Sequence, residues 1–121
     1  VSFTIAESQA TLDARFPTTG ATDHIAYSAN GSSETGSLAR TAVGATGWAA
    51  ATAANPSVKS NANVLTSAAA SGSVTVSHFA IYTASSGGTQ RTEWQALTTP
   101  RALLSGDKLE WAVGELDITL T

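Results

Sequence analysis

One stretch, residues 74–97, constrains the fold more than any other. Its first ten residues, Val-Thr-Val-Ser-His-Phe-Ala-Ile-Tyr-Thr, are rich in β-branched and aromatic side chains. Such side chains suit a pleated, half-buried surface. Val74, Val76, His78, Ala80 and Tyr82 share one face, and Thr75, Ser77, Phe79, Ile81 and Thr83 the other. Apolar groups on both faces predict a central strand covered on both sides. Ser85-Ser86-Gly87-Gly88 then offers glycines for a reversal. Residues 90–97 are expected to return as a second strand, completing a central hairpin over 74–97.

The remaining elements are arranged around that hairpin. Residues 5–16 are the one helix candidate. Ala6, Ala10 and Ala14 recur every four residues, with Leu12 and Phe16 on a neighbouring stripe, and Pro17 ends the run. Residues 23–28 alternate as a strand, and Asn30-Gly31 marks a turn. Strands are expected at 37–43 and at 57–66, the latter with Val58, Ala62 and Val64 on one face. Between them, 44–55 reads as an irregular connection anchored by Trp48. Thr98-Thr99-Pro100 is expected to break the chain, with a short extended piece at 101–104 and a turn at 105–107. Residues 108–113 place Leu109, Trp111 and Val113 inward; 116–120 alternate likewise through Leu116, Ile118 and Leu120. Short strands with a turn about every ten residues predict an antiparallel two-sheet sandwich, jelly-roll-like. At 121 residues the expectation is one all-β domain over 1–121 with one short N-terminal helix.

Composition narrows the function. There is no cysteine, so neither disulfides nor thiolate metal sites can form. The net charge is −3 and only 12% of residues are charged, which argues against a nucleic-acid binder. No apolar run is long enough for a membrane span. The N-terminus shows no basic segment leading into an apolar core, so no signal peptide is expected.

Candidate chemistry is sparse. His24 and His78 are the two histidines, and each reads as a hydrogen-bonded strand residue rather than a metal ligand. Asp107, Glu110, Glu115 and Asp117 cluster in sequence, but turn signals and outward strand positions make them a solvated face rather than a glycosidic acid–base pair. No nucleophile elbow, phosphate loop or calcium loop is present. The reading is a non-enzyme without metal or cofactor. Trp94, Arg91 and Trp48 are the candidate protein-contact residues, Trp94 being the aromatic expected on the surface.

Ser77-His78-Phe79-Ala80-Ile81-Tyr82, Ala84-Ser85-Ser86-Gly87-Gly88-Thr89, Leu97-Thr98-Thr99-Pro100, Gly106-Asp107-Lys108-Leu109-Glu110-Trp111 and residues 114–120 carry a resemblance, and Asp23-His24-Ile25 and Ala39-Arg40-Thr41-Ala42-Val43 carry it more weakly. They resemble a family of small virion proteins of tailed bacteriophages, labelled tail fibre, minor tail or minor capsid protein. The resemblance implies a structural protein of the virion. Neither repeats nor a coiled-coil shaft are visible, which favours a decoration protein on the capsid surface. Its partners would be the major capsid protein and copies of itself, as a trimer. The alternative is a tail-tip or tail-fibre-associated protein contacting host glycan or a tail partner.

Overall fold

The computed structural model describes residues 2–120. In chain order the elements are α1 (Ile5–Arg15), β1 (His24–Ser28), β2 (Thr41–Ala42), β3 (Ser57–Ser60), β4 (Leu65–Thr66), β5 (Val74–Tyr82), β6 (Gln95–Leu103), β7 (Glu110–Trp111) and β8 (Asp117–Leu120). The strands form one four-stranded sheet in the order β2-β1-β5-β6 and two two-stranded ladders, β3 with β8 and β4 with β7. The fold is all-β, with antiparallel pairing and a single short helix. The chain divides into two compact units. One comprises the chain up to Ala21, Val43–Leu65 and the chain from Trp111; the other comprises Thr22–Ala42 and Thr66–Glu110.

In the first unit, α1 starts at Thr4, whose Oγ1 accepts the Glu7 N–H at 3.2 Å. This is an N-cap, reinforced by the acidic Glu7 in the first turn and Arg15 in the last. Leu12 is buried, as is Phe16 just past the helix end, while Ala6, Ala10 and Ala14 are exposed. The inward stripe is therefore Ser8, Leu12 and Phe16; the larger side chains, not the alanines, set the buried face because they remove more apolar area from water. Phe16 meets Trp48 edge-on, with ring centroids 5.5 Å apart. Trp48 is 1% exposed and does anchor the irregular 44–55 connection.

The strand expected over 57–66 is short, and its phase is the reverse of the expected one. Ser57, Lys59 and Asn61 are buried, whereas Val64 is exposed. Polar partners explain the inversion: Lys59 Nζ reaches Asp13 at 2.8 Å, and Asn61 is hydrogen-bonded on both ends of its amide. Residues 116–120 alternate as expected, with Leu116 fully buried.

The second unit is built on the central strand. β5 lies between β1 and β6, as the two-faced apolar pattern predicts. β1 is also covered on both faces, since Ile25, Ala26, Tyr27 and Ser28 are all fully buried. The return strand differs from expectation. Gln90 makes only an isolated bridge to Tyr82, and β6 runs from 95 to 103, straight through the expected break. Val76 pairs with Arg101 but His78 with Ala96, so residues 97–100 bulge opposite Ser77. Pro100 sits in that bulge on the sheet's edge strand, the position where a missing N–H is tolerated.

Two further expected strands are shorter than the sequence suggests. Residues 36–38 bend, with Leu38 buried and the Arg40 side chain bound to the Ala84 carbonyl, and only β2 is strand. Over 108–113 only β7 is strand; Leu109 and Trp111 are buried as expected, but Val113 is 59% exposed. Gly114, at φ +82°, closes the turn immediately after it.

Candidate interaction surface

The tip of the 74–97 stretch is held by one arginine. Arg40 donates through Nε and Nη2 to the two carboxylate oxygens of Glu34, at 2.9 and 2.8 Å. Its Nη1 donates to the carbonyls of Ala84 and Gly87, each at 2.8 Å. The guanidinium lies 3.9 Å above the Tyr82 ring. This planar fork satisfies a carboxylate, two turn carbonyls and an aromatic face together, which a lysine could not do. Glu34 holds the Arg40 guanidinium even more firmly in its charged form. Gly87 and Gly88 both have positive φ, as the reversal requires.

Beside this clasp, Arg91 Nη1 donates to Asp23 at 2.6 Å; the Asp23 side chain is 3% exposed and that of Arg91 15%. The Arg91 N–H also donates to the Ile81 carbonyl, and Thr92 Oγ1 accepts from Ile81 N–H. Trp94 is half-buried and tilts against Tyr82, with centroids 6.2 Å apart. Of the three candidate contact residues, then, Trp94 and Arg91 belong to the hairpin's flank. Trp48 lies in the core of the other unit.

The histidines are apart in the β1–β5 ladder: His24 pairs with Tyr82, and His78 with Ser28. His24 Nδ1 is 2.9 Å from the Thr22 carbonyl, and His78 Nδ1 is 2.7 Å from Ser77 Oγ. Among the described residues no three histidine, aspartate or glutamate side chains gather as a metal shell. Two of the carboxylates, Asp107 and Glu115, serve turns, and Asp117 reaches across the β3–β8 ladder. Asp107 accepts from Leu104 N–H, Glu115 from Ala112 N–H and Asp117 from Ser60 Oγ. Glu110 is exposed.

A buried amide, hydrogen-bonded at both ends, belongs to a residue the sequence did not single out. Asn61, 1% exposed, donates to the carbonyls of Asn63 and Ala112 and accepts from Leu116 N–H. Its in-phase spacing with Ser57 and Lys59 was the available signal, a polar stripe two residues apart.

The second unit's sheet ends on β6, whose residues are exposed except for Leu97 and Leu103. A cleft of about 500 Å3 is lined by residues 100–103 and 108–110. A smaller one of about 390 Å3 lies by Arg40 and the 85–87 turn. Among the described residues, no helix is long and apolar enough to cross a membrane.

Many of the polar side chains named above are committed to a cap, turns and ion pairs. The chain belongs to the family described as Podophage GP4 fiber I protein gp80, whose model matches residues 7–119. It is therefore a structural component of a tailed-phage virion, of a fibre family, and the match covers nearly the whole sequence, including the first half, where the resemblance is weaker. A comparison with curated proteins finds no match.

Proposed function

We propose that the chain is a non-enzymatic fibre component, a small β module that docks on other virion proteins. The observation that carries this reading is the match of residues 7–119 to a fibre protein. A module bound within a larger fibre needs no shaft of its own, so the lack of repeats no longer favours the capsid shell. Burial supports a protein partner over host glycan. Trp48, Trp111 and Tyr27 are buried and Trp94 leans on Tyr82, so none of these tryptophans and tyrosines offers an open ring face to a sugar; Phe3 is the exposed aromatic among the described residues. The partner is then another fibre or tail protein; the major capsid protein, and a trimer of this chain on it, belong to the decoration reading.

The test is to separate heads from tails and fibres of purified particles and to quantify the chain in each. It should follow the fibre-bearing fraction in few copies. Recovery with stripped heads, in a simple ratio to the shell protein, would return the decoration role.

A further inference from the structure

We propose that the cleft beside β6 binds an extended, acidic segment of a partner protein, taken up along the edge of the sheet. The partner's place in a fibre rests on the reading above; the site itself rests on three observations.

The first is charge. The chain has six lysines and arginines against nine acids. Arg40, Lys59 and Arg91 are in ion pairs, and Arg15 is engaged as well. Arg101 and Lys108 remain, both exposed and without an ion pair or side-chain hydrogen bond among the described residues. In an acidic chain, the two uncommitted cations line the same cleft. Glu110 lines it too, so the local surplus is one positive charge, two cations less one carboxylate. That suits a segment with spaced carboxylates better than a dense polyanion.

The second is backbone. β6 is the outer strand of its sheet, so alternate N–H and C=O groups along its outer side have no strand partner. The bulge at 97–100 interrupts the row, and residues 101–103 follow as regular strand opposite Val74, Thr75 and Val76. An added strand would find main-chain partners there, with Arg101 and Lys108 reading its acids. The third is the lining itself. It holds no aromatic residue, so a sugar would have no ring to stack on.

A competing role for the cations is to keep the open edge from pairing with other chains, a common use of charge on edge strands. The experiment separates the two roles. The 15N-labelled full chain is titrated with a peptide of alternating threonine and valine carrying three spaced glutamates. The same peptide with glutamines, and oligogalacturonate, are titrated in parallel. Saturable amide shifts confined to 101–103 and 108–110 are expected. Binding should weaken about tenfold with the glutamine peptide, and about tenfold in the Arg101→Gln/Lys108→Gln chain, roughly 1.4 kcal/mol. The double variant should melt as the parent does, since both side chains are exposed. Shifts elsewhere, equal binding of the glutamine peptide, stronger binding of oligogalacturonate, or no binding at all would each overturn the proposal. Such a failure leaves the virion fractionation result untouched, so the two readings fail separately.

Discussion

At the scale of single residues, the most consequential pair is Lys59 with Asp13. Lys59 is fully buried, while the Asp13 side chain is 40% exposed. A buried ammonium is costly unless paired, and removing its partner leaves that cost uncompensated. The Asp13 carboxyl is held below its usual range, first by the hydrogen bond from Lys59 and then by the Ala51 N–H. A carboxyl depressed in the folded state adds stability that is fully present above its unfolded value of 3.8 and is lost as pH falls through the lower folded value. Because water reaches Asp13, the effect is smaller than for a sealed pair. Asp13→Ala should cost about 1–2 kcal/mol at pH 7. Urea midpoints followed from pH 7 to pH 2 should show the two chains converging at the acid end. A constant gap across that range would mean that the pair is not what Asp13 contributes. None of this was legible in the sequence. Lys59 sits among strand-forming residues, and its partner lies 46 positions away, so local pattern could not say that a lysine would point inward.

Strands and turns were legible where side-chain alternation and turn chemistry agreed. β5, β8, α1 and the glycine turns at 87–88, 106 and 114 fall where the sequence put them. The misses share a cause. Period-2 reading assigns the apolar face inward, and it failed at 57–61, where hydrogen-bonded Lys59 and Asn61 outweighed Val58. Thr98-Thr99-Pro100 looked like an end, because a proline breaks a central strand, yet β6 is an edge strand with a bulge. The alternation at 108–111 gives an expectation at this scale. Trp111 is 7% exposed and Glu110 is exposed. Trp111→Ala should cost roughly 3–5 kcal/mol, as large aromatic truncations in cores do. Glu110→Ala should stay within about 0.5 kcal/mol. Chemical denaturation of both variants checks this; similar losses at the two positions would show that the faces are exchanged, the signature of a one-residue slip. Of the candidate contact residues, sequence placed Trp94 and Arg91 on the hairpin's flank, but the Arg101 and Lys108 cleft depends on which cations find acids, and only the fold decides that.

For the whole molecule, chain order and compact units do not coincide. Each unit is assembled from separate stretches, and the chain passes from one to the other at 21/22, 42/43, 65/66 and 110/111. The segments that most strongly resemble phage virion proteins, from 77 onward, hold β6 and most of β5, and only a weaker resemblance, at 23–25, reaches the other neighbour of β5. That neighbour is β1, which pairs with β5 over five consecutive residues, from His24 with Tyr82 to Ser28 with His78. It also supplies Ile25, Ala26 and Tyr27, all fully buried, and Tyr27 Oη is bound to Thr41 Oγ1 at 2.6 Å. A fragment of residues 66–121 would therefore expose the main-chain groups of β5 along the side that β1 occupies. It would also leave Ala80 and Ile81, which pair with Ala26 and Ile25, short of their cover. An isolated two-stranded ribbon is marginal in water, and a long, partly apolar open edge invites association. The 66–121 fragment should lack the dispersed amide spectrum of the full chain and should aggregate as concentration rises. Adding a separate 22–42 peptide should restore part of the dispersion, because it returns β1 and β2 to the sheet. A fragment that is well dispersed and monomeric alone would show that β5 and β6 need no third strand, and that the family's C-terminal segments form a folding unit by themselves.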